Sequence, residues 1–136
     1  TLCQLDSIHT DYYQNRLDSL TRVIGETDRE VRSLLAHADS TFLIYHPALS
    51  YFARDYGLTQ ISIEEGGKEP SPAHLQTLIE QSRRTGARII FVQQEFDTRN
   101  AELIAREAQL QIVRINPLSY RWDEEMKNVA RALQHP

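Results

Sequence analysis

Hydrophobic residues recur at helical spacing over residues 8–38, near the start of the chain. Their separations of three, four and seven positions predict one long helix with a single apolar stripe. Gly25 lies inside this pattern and costs about 1 kcal/mol relative to alanine in a helix interior. If the helix is continuous, its roughly 30 residues span about 45 Å, so we expect it to protrude beyond its own domain. The stripe consists of Tyr12, Tyr13, Leu17, Leu20, Val23, Ile24, Val31, Leu34, Leu35 and Ala38.

From residue 41 onwards the pattern changes to short apolar runs separated by turn residues and amphipathic segments. This alternation predicts an α/β fold: a four-stranded, mostly parallel sheet with helices on both faces, preceded by the one long helix. Ser71 followed by Pro72 is typical of a helix start, and Gly86 is typical of a helix end. Strands are predicted at residues 42–45, 60–63, 88–92 and 111–115, and helices at 47–58, 72–85, 99–108 and 123–133.

His46 lies where the first predicted strand ends and the next helix begins. Pro47 suits the first turn of that helix and keeps His46 itself out of helical geometry. In parallel α/β folds ligands bind at the carboxyl ends of strands, and imidazole is the commonest protein ligand of borderline transition metals. From its position alone, His46 is either a metal ligand or a hydrogen-bonded loop residue.

The composition indicates one acidic domain of ordinary size. The chain has 136 residues, a net charge of −4 and a pI near 5.7, so no basic field exists to hold nucleic acid or an anionic membrane. Cys3 is the single cysteine, which excludes an intrachain disulfide and a multi-thiolate zinc site. No apolar run reaches the length of a membrane span, and we recognise no signal peptide. Because the sequence begins at Thr1 without methionine, we expect a processed or truncated piece.

Four segments together carry a resemblance to one protein family, in the right order and at the right intervals. They are HPALSYFARDYGL (46–58), EEGGKEPSPAHLQTLIE (64–80), IIFVQQEFDTRNAELIARE (89–107) and INPLSYRWDEEM (115–126). The chain resembles the carboxyl-terminal half of the metal-binding proteins of zinc and manganese ABC transporters, most closely the periplasmic zinc-uptake type. In that family two α/β lobes are joined by one long rigid helix, and the metal is held in the cleft between them.

The resemblance implies a domain organisation and a function. Residues 1–39 would be the long interlobe helix and residues 40–136 the carboxyl-terminal lobe. The amino-terminal lobe, with its signal peptide and metal ligands, would lie upstream and be absent from this chain. The implied function is solute binding in a metal ABC transporter: capture of a divalent cation, Zn²⁺ rather than Mn²⁺, and its delivery to a membrane permease. The protein would work in the periplasm or cell envelope and would catalyse no reaction.

The resemblance also implies which residues bind the metal. His46 matches the histidine ligand of the second lobe, and Asn116 stands where the family usually has an aspartate ligand. Because an amide oxygen coordinates zinc weakly and adds no negative charge, either the site is three histidines plus water or another carboxylate substitutes. Glu95 and Asp97 follow the third strand and are the candidate substitutes; the alternative is that they are solvated loop acids capping the next helix. With one strong ligand, this chain by itself should bind Zn²⁺ weakly.

Two further acids are open to both interpretations, whereas the other histidines are not expected to bind metal. Glu64 and Glu65 follow the second strand and are open to the same two interpretations as Glu95. The other histidines are expected to be exposed and unligated: His9, His37, His74 and His135.

Two other functions fit the sequence less fully. A small flavodoxin-like or hydrolase-like enzyme would use His46 as a general base oriented by Asp97 or Glu95. Against this, the sequence has no Gly-x-Ser-x-Gly elbow, no Walker motif and no Gly-x-Gly-x-x-Gly loop. The other function is an interaction module that dimerises through the apolar stripe of the long helix.

Overall fold

The computed structural model of the protein describes residues 1–96 and 98–134. After a short helix α1 (Leu2–Leu5) and a 3-10 turn (Ser7–His9), the chain forms one long helix, α2 (Thr10–Leu35). None of the described helices is both long and apolar enough to cross a membrane. Strands and helices then alternate: β1 (Thr41–Ile44), α3 (Ser50–Tyr56), β2 (Thr59–Ser62), α4 (Pro72–Thr85), β3 (Ile89–Gln93), α5 (Arg99–Ala108), β4 (Gln111–Ile115) and α6 (Trp122–Ala132).

The described strands form one sheet in the order β2-β1-β3-β4, with every pair parallel. Ile44 of β1 aligns with Ser62 of β2 and with Phe91 of β3, while Gln93 of β3 aligns with Ile115 of β4. Because the strands all run the same way, their carboxyl ends meet at one edge of the sheet. The predicted α/β class is confirmed, with a sheet that is parallel throughout.

Each face of the sheet packs against its own helices. Alternate strand residues point to opposite faces, so Phe42 and Phe91 pack on one side while Leu43 and Val92 pack on the other. Side chains of α2, α3 and α6 join the first cluster, and side chains of α4 and α5 join the second. The first cluster contains Val31, Phe42, Ile44, Phe52, Ala53, Ile89, Phe91, Ile115, Val129, Ala130 and Leu133; the second contains Leu43, Tyr45, Ile61, Ile63, Leu78, Ala87, Ile90, Val92, Ala101, Ile104 and Ala105.

The long helix is continuous through its one glycine and divides into an exposed half and a packed half. In the packed half Val31 is fully buried, and Glu30 forms ion pairs with Lys127 at 3.5 Å and with Arg131 at 3.1 Å on α6. The predicted apolar stripe is therefore covered only where the lobe lies alongside it. Nearer the amino terminus large apolar side chains are exposed, at 56% for Tyr12, 61% for Leu17, 49% for Leu20 and 49% for Ile24.

The largest differences from the predicted helix boundaries are three residues, at the end of α2 and at the start of α3. The long helix ends at Leu35 rather than at residue 38, since Ala38 forms an antiparallel bridge with Gln134. Helix α3 begins at Ser50 rather than at Pro47: Leu49 is its N-cap with φ of −105° and ψ of 20°, and the Ser50 hydroxyl donates a hydrogen bond to the Pro47 carbonyl at 2.9 Å. Pro47 consequently belongs to the loop that carries His46 and not to the helix.

Helix α4 begins and ends where the sequence predicts. The Ser71 hydroxyl accepts a hydrogen bond from the backbone N–H of His74 at 3.2 Å, and Pro72 is the first helical residue. Gly86 ends the helix with φ of 70°, a left-handed conformation that suits glycine. The helix is thereby fixed at both ends against its face of the sheet.

The hydroxyl of Tyr56 links α3 to the packed half of α2. It donates a hydrogen bond to Asp28 Oδ1 at 3.0 Å, and burial together with this bond raises the pKa of Tyr56 from 10.0 to about 12. The folded state thus favours the neutral phenol of Tyr56. The contribution of this raised pKa to stability is complete below pH 10 and is lost as the pH rises to about 12.

We therefore expect the difference in unfolding free energy between the wild type and Tyr56→Phe to shrink as the pH rises above 10. Urea titrations at successive pH values measure this difference. Tyr120→Phe is the matched control, because Tyr120 is 98% exposed and should show no such change. A Tyr56 difference that stays constant up to pH 12 would contradict the proposed linkage.

Candidate metal centre

The carboxyl ends of the four strands lie side by side, and a polar residue follows each. His46 lies two residues beyond β1, Glu64 two residues beyond β2, and Glu95 two residues beyond β3. Asn116 lies directly after β4. Since β1 is a central strand of the sheet, His46 lies near the middle of this edge. A groove of about 250 Å³ opens there, lined by His46, Ala48, Gln93, Glu95, Phe96, Pro117 and Leu118.

The imidazole of His46 is half exposed and has a carboxylate behind it. Nδ1 of His46 is 2.6 Å from Oε1 of Glu64, whose side chain is 9% exposed against 48% for His46. An ionised carboxylate only accepts hydrogen bonds, so Nδ1 carries the proton and donates it. In the neutral imidazole Nε2 then carries the lone pair, which is the form that binds a metal.

Of the two interpretations open for Glu64, the structure rules out the solvated loop acid, because its side chain is only 9% exposed. Its backbone N–H donates to the carbonyl of Tyr45 at 3.2 Å, which continues the pairing of β2 with β1 beyond the strand ends. Glu64 and His46 are thereby brought side by side although they are eighteen positions apart in the sequence. The neighbouring Glu65 is 60% exposed, as expected for a turn residue.

The backbone of His46 is held by the side-chain amide of Gln93, the last residue of β3. Nε2 of Gln93 donates to the His46 carbonyl at 2.7 Å, and Oε1 accepts from the His46 N–H at 3.5 Å. Gln93 is 1% exposed. An amide suits this position because it both donates and accepts, whereas an ionised carboxylate only accepts. The sequence shows only that a polar residue follows a buried apolar run, so it did not reveal this role.

Phe96 fixes the plane of the His46 ring. The two rings are stacked, with centroids 5.5 Å apart and an interplanar angle of 17°. Phe96 also contacts Tyr45 at a centroid distance of 5.3 Å, so its own ring is held by the core. His46 is thus restrained at its backbone, at Nδ1 and on one ring face. Sequence reasoning missed Phe96, since an aromatic residue in a polar loop gives no sign of its partner.

The Asn116 side chain is engaged in a local turn. Its Oδ1 accepts a hydrogen bond from the backbone N–H of Leu118 at 3.2 Å, a common role for asparagine after a strand. The backbone N–H of Asn116 donates to Oε1 of Glu125 at 2.7 Å. Asn116 is not among the residues that line the His46 groove. The amide oxygen of Asn116 therefore serves the loop in this structure.

Of the two candidate substitute acids, one can be placed. Glu95 is exposed and lines the same groove as His46. Asp97 lies outside the described residues. The structure therefore brings together one histidine and one acid from the predicted set.

None of the other described histidines lines the groove. His9 and His37 are exposed, as predicted, and His135 lies outside the described residues. His74 corrects the prediction: its side chain is only 24% exposed, with Nδ1 3.6 Å from Oε1 of Glu65. Its Nε2 is buried without a hydrogen-bond partner. The burial follows from its place in the first turn of α4, beside the turn that precedes the helix.

Within residues 1–96 and 98–134, no three histidine, cysteine, aspartate or glutamate side chains converge closely enough to hold a metal ion. Structural zinc sites have four protein ligands and catalytic sites have three. The described edge of the sheet thus offers a preorganised imidazole and an adjacent acid, which is fewer than a zinc site needs.

Comparison with known proteins decides the family. The family model for ZnuA, described as the periplasmic component A of a zinc-uptake complex, matches residues 1–135. The chain belongs to the ZnuA family. Its resemblance to the zinc-uptake binding proteins, seen first in the segments from residue 46 to residue 126, is thereby confirmed.

Similar ZnuA-family proteins have been named and solved. The zinc-binding protein AdcA of Streptococcus pyogenes serotype M1 is 31% identical over 107 residues, which is 76% of this chain and 21% of AdcA. A crystal structure of ZnuA superposes with a TM-score of 0.90 at 32% identity, covering 96% of this chain and 52% of that one. A crystal structure of a ZnuA deletion mutant with zinc bound superposes with a TM-score of 0.88 at 31% identity, covering 99% of this chain and 54% of that one. The chain thus spans about half the length of the solved structures that it matches.

Proposed function

We propose that this chain is the carboxyl-terminal lobe of a two-lobed metal-binding protein. The whole protein captures a divalent cation, preferentially Zn²⁺, in the cleft between its lobes and delivers it to the membrane permease of an ABC transporter. The observation that carries the proposal is His46: an imidazole with Nδ1 occupied, facing a groove at the carboxyl edge of the sheet. The solved ZnuA structure is about twice as long as this chain. A single ligand in this chain is therefore what we expect if the remaining ligands come from a second lobe.

The long helix supports this division of the chain. We assign residues 1–39 to the interlobe helix and residues 40–136 to the lobe. Val31 is buried against the lobe, whereas Leu17, Leu20 and Ile24 expose about half or more of their surface. An apolar stripe that is covered at one end only fits a helix that a second lobe covers at the other.

The donor atoms favour zinc over manganese. His46 offers a neutral imidazole nitrogen, which suits Zn²⁺, while harder ions prefer carboxylate and carbonyl oxygen. Asn116 brings no negative charge, and its oxygen is used by the local turn. The exposed Glu95 is then the acid placed to approach a metal held by His46, with Asp97 as the neighbouring candidate.

The site fits binding without catalysis. A His–carboxylate pair such as His46–Glu64 also occurs in general-base catalysis. However, none of the residues that line the described groove carries a hydroxyl or thiol that such a base would activate. We therefore propose a binding protein of the cell envelope, in keeping with the periplasmic zinc-uptake description of its family.

The test is a calorimetric titration with Zn²⁺ of this chain and of the two-lobed protein, each with and without His46→Ala. We expect weak binding by this chain and tight binding of one ion by the two-lobed protein. His46→Ala should lower the affinity of the latter by more than the 10- to 100-fold loss typical of outer-shell partners. His37→Ala, at an exposed histidine, is the control and should change nothing.

Either of two results would contradict the proposal. Tight binding of one Zn²⁺ by the isolated chain would mean that the lobe holds a complete site. Unchanged affinity in the two-lobed His46→Ala protein would place the site elsewhere. Sedimentation velocity on the same samples measures whether the exposed half of α2 instead pairs two copies of the chain, as the dimerisation alternative requires.

A further inference from the structure

His46 and Glu64 differ in exposure, and this difference indicates which of the two faces the groove. The His46 side chain is 48% exposed and lines the groove, whereas the Glu64 side chain is 9% exposed and is not part of the lining. The carboxylate therefore lies behind the imidazole, on the side away from the groove. A metal entering the groove meets His46 before it can meet Glu64.

We infer that Glu64 is a positioning residue, which acts on the metal through His46. By accepting the proton of Nδ1 it selects the neutral tautomer whose Nε2 lone pair is available to the ion. Its negative charge also makes the imidazole a stronger donor, as carboxylates behind metal-bound histidines commonly do. The part of this inference that concerns metal rests on the proposed function, while the part that concerns the tautomer does not.

The backbone explains why Glu64 can hold this position. Ile63 and Glu64 donate their N–H groups to the carbonyls of Ile44 and Tyr45 at 2.8 and 3.2 Å, so the pairing of β2 with β1 continues to the residue before His46. With Ile63 fully buried, this segment is anchored in the core. The carboxylate thus comes from a fixed strand end and not from a free turn.

The surroundings of His46 leave Nδ1 with Glu64 as its partner. Gln93 binds the backbone of His46, not its ring, and Phe96 stacks on the ring face. The 2.6 Å contact between Nδ1 and Oε1 is in the short range of a charge-assisted hydrogen bond. A direct metal ligand role for Glu64 would require breaking this bond and turning a buried carboxylate past the imidazole.

The chain offers a matched control in the next residue. Glu65 carries the same charge, belongs to the same turn and is 60% exposed, but it lies near His74 rather than His46. Glu65→Gln therefore removes the same charge without touching the Nδ1 bond. Glu64→Ala removes the acceptor, and Glu64→Gln keeps an acceptor oxygen while removing the charge.

The first measurement is the nitrogen NMR spectrum of the ¹⁵N-histidine-labelled chain without metal, at pH 8, where imidazole side chains are ordinarily neutral. We expect His46 to show a protonated Nδ1 and an unprotonated Nε2 in the wild type, in Glu65→Gln and in Glu64→Gln. In Glu64→Ala the signals should move towards the mixture of tautomers typical of a free imidazole. The amide spectrum of β1 and β2 reports whether the fold is kept in each variant.

The second measurement is a Zn²⁺ titration of the same chains, followed at the His46 nitrogens. Glu64→Ala should lower the affinity by about 10- to 100-fold, Glu64→Gln should lower it less, and Glu65→Gln should leave it unchanged. A His46 tautomer that is the same in Glu64→Ala and wild type overturns the inference, whatever zinc does. A tautomer that follows Glu64 while zinc leaves the His46 signals unmoved supports the positioning role and contradicts only the proposed function.

Discussion

Replacing Phe91 by alanine is expected to lower the free energy of unfolding by about 3–5 kcal/mol. Phe91 is fully buried in the middle of β3 and packs edge to face against Phe42, with ring centroids 5.3 Å apart. Removing the ring takes away apolar contacts and leaves a cavity in the first core cluster, which the close-packed side chains can fill only in part. For a domain with about 5–15 kcal/mol of total stability, such a loss is large.

Urea unfolding followed by circular dichroism measures the Phe91 effect as a shift of the transition midpoint. Tyr120→Ala is the matched control, because it removes an aromatic ring that is 98% exposed and should stay within about 0.5 kcal/mol of the wild type. A loss below about 1.5 kcal/mol for Phe91→Ala would mean that the first core cluster is loosely packed or collapses around the change.

The fold follows from the sequence because its strongest signals are local. Ile89 to Val92 form an apolar run that can only be buried, and Ser71 with Pro72 fixes a helix start that needs no tertiary partner. Alternation of such segments restricts the topology to a parallel sheet with helices on both faces. The helix stripe near Leu17 was less informative, because periodicity shows which residues share a face and not what covers that face.

The site is only partly readable from the sequence. His46 could be found because a strand end before a proline is a local pattern. Its resemblance to a family ligand rests on the residues that directly follow it in the sequence. Glu64 and Gln93 could not, since they reach His46 from other strands, eighteen and forty-seven positions away. Their roles depend on strand order and register, which arise only when the sheet forms. Asn116 was judged by residue type, while the structure shows its oxygen in use by a turn.

Replacing Gln93 is expected to have the second large effect on stability, because this one buried side chain holds the backbone of the candidate metal ligand His46. Gln93→Leu keeps most of the volume but leaves the carbonyl and N–H of His46 without their partner. An unsatisfied group costs about 1–3 kcal/mol when it is fully buried. Because these two groups are only partly buried, we expect a combined loss near the lower end, about 2–3 kcal/mol in unfolding free energy. The loop that carries His46 should loosen as well, which thermal or urea unfolding and amide hydrogen exchange can measure separately.

Gln93→Glu distinguishes the hydrogen bonds from the shape of the side chain. A protonated carboxyl group donates and accepts as the amide does, whereas the ionised form loses the bond to the His46 carbonyl. Burial should raise the pKa of this carboxyl group in the folded state above the unfolded value of about 4.3. The variant should therefore match the wild type below about pH 4.3 and lose stability as the pH rises, by at most about 1.4 kcal/mol per pH unit, until the folded pKa is passed.

Urea titrations of Gln93→Glu from acid to neutral pH measure this slope, with Gln94→Glu as the control at the exposed neighbouring residue. The variant should fold, since glutamate and glutamine side chains have nearly the same shape and its protonated carboxyl group can both donate and accept. Stability differences that do not change with pH would show that the backbone of His46 does not depend on a donor at position 93. A pH-dependent loss confined to Gln93→Glu would show that the amide itself holds the ligand loop, because only the protonation state of one buried group differs along the titration.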